Sequence, residues 1–146
     1  MMAITTNAIC NSFKKELLEA THNFKSSGGN SFKLALYTSS ATLGKSTTSF
    51  TTDNQVSATG QYASGGSALT NAGTSLSSDT ALVDFADLSF TGVTLTARGA
   101  LIYNDTASGD PAVCVLNFGS DKTATSGTFT IQFPAFTSSA AVIRIA

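Results

Sequence analysis

The sequence contains few of the residues that carry chemistry or charge. Its 146 residues include one histidine, two cysteines and no tryptophan, and only 12% of them are charged. Because the net charge is −1 and no basic cluster is present, nothing indicates binding to the phosphates of a nucleic acid. No run approaches the ~20 apolar residues of a membrane-spanning helix. We therefore expect neither a nucleic acid nor a membrane as a partner.

The scarcity of cysteine bears on the compartment. Residues 1–10 have no basic start and no long apolar core, so we do not expect a signal peptide. Cys10 and Cys114 fit two small buried apolar side chains, as lone thiols often are. A disulfide between them stays open, although nothing in the sequence requires one. These features favour a reducing, soluble compartment.

A catalytic or metal site needs convergent polar residues, and the sequence offers few. His22 is predicted on the exposed side of a helix, and no serine lies in a G-x-S-x-G turn to work with it. His22 and the two cysteines do not have the spacing of a zinc site. Asp84 and Asp87 differ in strand parity, which would point them to opposite faces of an unbulged strand. We expect no catalytic residue, no metal, no cofactor and no enzymatic activity.

Small hydroxyl residues are abundant instead, with 20 serines and 22 threonines. Threonine favours strands, whereas serine and glycine favour turns. The composition therefore predicts short strands with many connections, in a single domain over residues 1–146. The resulting surface is neutral and polar, with little like-charge repulsion to keep copies apart. Such a surface is easier to explain if much of it meets other protein.

One amphipathic helix is predicted over residues 7–25. Its apolar residues recur at spacings of four, four, three and four, which places them on one stripe. They are Ile9, Phe13, Leu17, Ala20 and Phe24. Thr5 or Thr6 can cap the start, and the glycines at 28 and 29 stop the helix. We expect the stripe to pack on the protein's own sheet; the alternative is that part of it docks on a neighbouring subunit.

From residue 32 onward the patterns predict six to eight strands, mostly antiparallel. The main strands predicted are residues 32–37, 82–90, 98–103, 112–118, 128–133 and 141–145. A bulge or bend near Ala86 and Asp87 would keep the apolar residues of 82–90 buried. Residues 104–111 form the turn of a hairpin, and 119–127 a polar connection. The fold class is mainly β: an antiparallel β-sandwich or jelly-roll-like domain over 32–146, preceded by the helix.

Residues 38–66 form a long, polar stretch. Gly60, Gly65 and Gly66 surround Tyr62 and mark turns or a close approach of the backbone. Loops of this length tend to be functional or to be ordered by a partner. We expect this stretch, together with the helix, to provide most contacts of an interface.

Two arginines lie inside apolar strand patterns. Arg98 and Arg144 are expected either to face a sheet edge or to pair in a polar network, for which Asp84 and Asp87 are the candidate partners. A salt bridge within the domain is the expected pairing, and an intersubunit salt bridge is the alternative. The candidate interface residues are Phe13, Leu17, Tyr62, Arg98 and Arg144.

Several segments together resemble a family of small structural proteins of tailed-bacteriophage virions. They are FKLALYTSSATL at 32–43, VSATG at 56–60 with Tyr62 and the glycine pair at 65–66, ARGALIYN at 97–104, VLNFGSDK at 115–122 and GTFTIQFP at 127–134. The resemblance extends from the helix to the last residue. It implies a structural protein, and some proteins of this size cement capsids as dimers or trimers with jelly-roll-like folds. It implies no catalytic residue.

The leading hypothesis is a protein that binds the outside of a phage capsid and cements neighbouring subunits. Its partners would be the major capsid protein and copies of itself, as a homodimer or homotrimer. It would reside on the virion surface after assembly in the host bacterial cytoplasm. The alternatives are a tail, collar or baseplate component, or a receptor- or glycan-binding module. A glycan-binding module would want exposed aromatic rings, and only three tyrosines and no tryptophan are present.

Overall fold

The computed structural model describes residues 4–146, which form eight strands and one helix. In chain order these are β1 (Ala8–Ile9), α1 (Asn11–Leu18), β2 (Phe32–Tyr37), β3 (Ser67–Ala68), β4 (Asn71–Ser77), β5 (Thr80–Phe85), β6 (Leu88–Asn104), β7 (Ala112–Ile131) and β8 (Ile143–Ile145). The predicted fold class is confirmed, because the protein is mainly β, with two antiparallel sheets and one short helix.

The two sheets share one hydrophobic core. The first has the strand order β1-β7-β6-β2-β3 and the second the order β4-β5-β8. Leu34 and Leu101 of the first sheet and Phe85 and Ile143 of the second belong to the same cluster of buried side chains. This arrangement is consistent with a β-sandwich, in which each sheet buries one face against the other. Among residues 4–146, no helix is long and apolar enough to cross a membrane.

The hairpin of β6 and β7 is the largest unit of the first sheet. Its predicted turn is confirmed, and the Oδ1 atom of Asn104 accepts hydrogen bonds from the Thr106 and Ala107 amides at 3.0 and 3.1 Å. The predicted polar connection at 119–127 is wrong, because these residues continue β7. The hydroxyls of Thr96 and Thr123 lie 2.8 Å apart across the hairpin. A solvent-facing strand rich in hydroxyl residues lacks the apolar alternation that would have marked it.

The predicted strand over residues 82–90 is wrong as a single unit. It divides into the end of β5 and the start of β6, which belong to different sheets. Ala86 and Asp87 form the link, at the point where the sequence predicted a bulge or bend. The change of parity between Phe85 and Leu88 therefore marks a passage from one sheet to the other rather than a bulge.

The predicted helix over residues 7–25 is too long at both ends, since α1 spans Asn11–Leu18. Ile9 lies in β1 opposite Cys114 of β7. Cys10 occupies the N-cap, and its side chain makes no capping hydrogen bond, so the predicted threonine cap is wrong as well. At the other end Ala20 has φ 60°, a left-handed conformation that ends the helix. Phe24 is buried, but it lies in an irregular segment after the helix.

The glycines around Tyr62 allow close approach of the backbone, as predicted. Gly66 has φ +80°, and a Cβ atom there would overlap the carbonyl group of Leu34 in β2. Gly60 has φ +50°, and a Cβ atom there would overlap the carbonyl group of Gly92 in β6. Because they lack a Cβ atom, both glycines allow the loop of residues 38–66 to lie directly against the backbone of the first sheet.

Candidate interaction surface

An apolar depression lies between α1 and β8. A smaller hollow of about 320 Å³ and a larger one of about 450 Å³ share four lining residues, so the two form one depression. The shared residues are Phe13 and Leu17 of α1 and Ile143 and Ile145 of β8. We refer to this depression as the α1–β8 groove.

The register of the second sheet explains why one side of the groove is apolar. β8 is an edge strand and pairs with β5 so that Ile145 lies opposite Ala81 and Ile143 opposite Val83. Directly paired residues, and residues two apart in a strand, point to the same face of a sheet. These four side chains therefore share one face, and all four line the groove.

Large apolar side chains remain exposed at the groove and beside it. Leu18 is 90% exposed and lines the smaller hollow, and Ile145 is 52% exposed. Leu76 of β4, 73% exposed, pairs with Ala81 and so extends the same row of the sheet outside the groove. Single exposed apolar residues are ordinary, but a contiguous apolar patch of this kind marks a site of protein contact.

Basic residues border the groove on several sides. Lys14 and Arg144 line the smaller hollow and Lys25 the larger one, whereas no acidic residue within 4–146 lines either hollow. Glu19 follows Leu18 directly, and its Oε1 atom lies 2.8 Å from Nζ of Lys15 on the helix surface. The surface around the groove therefore carries cations at its rim and a carboxylate beside its most exposed leucine.

Three of the five predicted interface residues meet at this groove. Both Leu17, which is half-buried, and Phe13, which is buried, line the two hollows. Arg144 is exposed, and its Nη1 atom donates a hydrogen bond to the Ser138 carbonyl at 2.9 Å. Leu18 was missed because it lies off the helical stripe, although an apolar residue on the polar side of an amphipathic helix is itself a signal.

The other two predicted residues lie elsewhere. Tyr62 is buried in the protein's own core, where its hydroxyl accepts a hydrogen bond from the Leu36 amide at 2.8 Å. Arg98 is half-buried in β6, and its buried Nε atom has no hydrogen-bond partner within residues 4–146. Neither residue lines the α1–β8 groove. A role for these two residues in an interface stays a prediction.

The predicted salt bridges of Arg98 and Arg144 with Asp84 or Asp87 are wrong. No ion pair joins these residues in the part of the chain that the structure describes. Instead, the Asp84 carboxylate accepts the Phe85 amide at 2.9 Å, and the Asp87 carboxylate accepts the Phe133 amide at 2.8 Å. Both carboxylates thus satisfy backbone donors.

His22 is buried, so the prediction that it is exposed is wrong. After α1 the chain changes direction at Ala20, which has a left-handed conformation, and the imidazole of His22 is buried. Nδ1 of His22 lies 3.1 Å from Nδ2 of Asn104, and Nε2 lies 2.8 Å from Oε2 of Glu16. The Nδ2 group of Asn104 can only donate, so Nδ1 of His22 accepts its hydrogen bond. Nε2 of His22 then carries the hydrogen that it donates to Glu16. The Nδ1 bond holds the segment after α1 against β6, and the Nε2 bond joins the same segment to α1.

The two cysteines are free and buried, as the sequence predicted. Burial raises the pKa of Cys10 to about 11 and that of Cys114 to about 12. Both thiols therefore stay protonated near neutral pH, and a protonated thiol is a poor nucleophile. Within residues 4–146, no three His, Cys, Asp or Glu residues lie close enough to hold a metal ion.

Asp84 gives a pH-dependent prediction. Burial raises the pKa of its carboxyl group above the usual 3.8, although backbone amides donate to it. Because the folded pKa exceeds the unfolded one, the resulting stabilisation is present below the usual pKa and lost as the pH rises through the raised value. Asparagine does not titrate, so Asp84→Asn should keep the stability that the natural protein loses. The free energy of unfolding of the variant, relative to that of the natural protein, should therefore be higher at about pH 7 than at about pH 3. Urea unfolding at both pH values measures this change.

The matched control for this experiment is Asp79→Asn, at the exposed turn between β4 and β5. Its stability difference from the natural protein should change less with pH than that of Asp84→Asn. An equal change for the two variants would contradict the assignment to Asp84.

Comparison with known proteins leaves the geometry as the basis for a functional proposal. No protein-family model, curated protein or solved structure matches this chain.

Proposed function

We propose that this protein is a structural component of a tailed-bacteriophage virion, which binds the outside of the capsid and cements neighbouring capsid subunits. The observation that carries the proposal is the α1–β8 groove, where Leu18 and Ile145 are exposed on a protein with few charges. A surface of this kind is suited to burial in an assembly.

The interior supports a role without chemistry. The Glu16, His22 and Asn104 side chains are engaged with one another, and the carboxylates of Asp84 and Asp87 accept backbone amides. Each of these side chains is thus engaged with another group of the protein itself. A cementing protein needs a rigid body and contacts that add up over many copies, so each contact can be modest.

The tyrosines argue against the glycan-binding alternative. Tyr37, Tyr62 and Tyr103 are all buried in the core, so none offers a free ring face to a sugar. The alternative as a tail, collar or baseplate component requires the same kind of contact surface, and only the position in the particle separates it from cementing.

The experiment is cryo-electron microscopy of the particle that carries this chain, combined with release of its DNA on heating. We expect density on the outer shell at capsid two-fold or three-fold positions. Particles assembled without the protein should release DNA at a lower temperature, because the clamped contacts between subunits are missing. Adding the purified protein back should restore the original temperature.

Matched particles assembled in the absence of the protein are the control for both measurements. Density confined to the portal vertex or the tail would assign the protein to the tail, collar or baseplate. An unchanged temperature of DNA release would overturn the cementing role.

A further inference from the structure

We infer that the α1–β8 groove binds the same groove of a second copy of this chain, in a two-fold symmetric contact. The inference deepens the proposed function and rests on it, since a dimer would be the unit that engages neighbouring capsid subunits. It specifies the partner of the groove and the residues that make the contact.

The first support is that the groove carries both a projecting and a receiving element. Leu18 is 90% exposed and lines the smaller hollow together with Leu17, Ile143 and Ile145. A two-fold contact requires one patch to complement itself. A two-fold axis beside Leu18 places the leucine of each copy over the hollow of the other. A foreign partner would need the hollow but would leave the projecting leucine unexplained.

The second support is charge. Glu19 stands next to the projecting Leu18, whereas Lys14 and Arg144 line the receiving hollow. The operation that inserts Leu18 into the hollow of the other copy also brings Glu19 towards those cations. The present partner of Glu19 is Lys15, whose side chain is 79% exposed, and exposed pairs of this kind contribute little. Glu19 can therefore exchange this partner for a cation of the second copy at little cost.

The contact is expected to run through side chains rather than through pairing of the two β8 edges. An antiparallel pair of β8 strands centred on Arg144 would place two guanidinium groups directly opposite each other, and like charges in that position destabilise a sheet. The net charge of −1 adds little repulsion between whole copies.

Sedimentation equilibrium of the full chain tests the apolar part of the contact. We expect a concentration-dependent dimer whose dissociation constant rises about tenfold or more in Leu18→Ser, because a buried leucine contact is lost. Leu18 is almost fully exposed in the single chain, so the variant should fold, and circular dichroism verifies this. The matched control is Phe136→Ser, at an apolar side chain that is 37% exposed and lines neither hollow, and its dissociation constant should stay that of the natural chain.

A charge exchange tests the electrostatic part. Glu19→Lys should weaken the dimer several-fold, and combining it with Lys14→Glu should restore most of the loss. Lys14 is exposed on α1 and Glu19 is exposed directly after it, so the fold should tolerate either change. Restoration by the second change would not occur if Glu19→Lys acted only by weakening the helix.

Three outcomes would overturn the inference: a monomer at every concentration up to the millimolar range, a Leu18→Ser variant that dimerises as tightly as the natural chain, or a trimer. Failure of the proposed function is distinguishable, because the dimer is measured without particles. A dimer that leaves no density on capsids would overturn cementing alone, and a monomer that decorates capsids would overturn the groove contact alone.

Discussion

Gly66→Ala is expected to lower the free energy of unfolding by about 4 kcal/mol or more, which is in the range of the most damaging single substitutions. Gly66 has φ +80°, a conformation that costs a residue with a side chain about 1–2 kcal/mol. A Cβ atom there would also overlap the Leu34 carbonyl and lie 2.8 Å from the Ala35 Cα atom. Both neighbours are backbone of β2 in the first sheet, so neither can move aside as a flexible side chain would.

The adjacent glycine provides the control. Gly65 has φ +91°, but a Cβ atom there would meet only the Tyr103 hydroxyl at 3.4 Å. Gly65→Ala should therefore show the cost of the left-handed conformation alone, about 1–2 kcal/mol. Urea unfolding of both variants separates the two causes. Equal losses in free energy of unfolding for the two variants would mean that the close approach of residue 66 to β2 adds nothing to the cost of a side chain there.

Asn104→Ala is expected to cost about 3–5 kcal/mol of the free energy of unfolding. Asn104 is fully buried at the end of β6. Its Nδ2 atom lies within hydrogen-bond distance of Asn30, His22 and the Thr21 carbonyl, and its Oδ1 atom accepts two amides of the following turn. Each buried polar group left without a partner costs about 1–3 kcal/mol. The loss should be large because one truncation leaves several such groups.

The matched control is Asn117→Ala in β7. Asn117 also uses both atoms of its amide, donating to the Thr5 carbonyl at 2.9 Å and accepting the Gly119 amide at 2.9 Å, but it does so near solvent. Water can replace these bonds, so we expect a loss of about 1 kcal/mol or less. Thermal and urea unfolding of the two variants measure these losses. If Asn104→Ala lowered the free energy of unfolding no more than Asn117→Ala, the role of the buried network would be contradicted.

The apolar pattern of the N-terminal region predicted burial better than it predicted conformation. Phe13 and Phe24 are buried as expected, yet the first lies in α1 and the second in an irregular segment. The helix is shorter because the Cys10 amide donates to the Val113 carbonyl of β7 at 3.0 Å and Ala20 adopts a left-handed conformation. Neither the contact of Cys10 nor the conformation of Ala20 is visible in the periodicity of the apolar residues. The burial of His22 follows from the same turn of the chain and was missed for the same reason.

The candidate surface was predictable in part. Phe13 and Leu17 were identified from the helical stripe, and Arg144 from its place in an apolar strand. That these residues meet depends on β8 forming the edge of the second sheet beside α1, which is a matter of topology. The division of residues 82–90 between two sheets likewise had only a change of parity as its signal. Local patterns thus indicated which residues matter, and the sheet order decided which of them come together.

The position of β1 in the sheet has a consequence for the order of folding. β6 and β7 are joined by a short turn, whereas Asn7 contacts Asn117, which is 110 residues away in the chain. Closing a longer loop costs more entropy, and contacts that are distant in sequence form late. The hairpin can therefore form early, while β1 and α1 dock only after β7 is in place. The segment of β1 and α1, which supplies one side of the groove, is thus expected to dock late in folding, and a second copy bound over Leu18 would hold it in place.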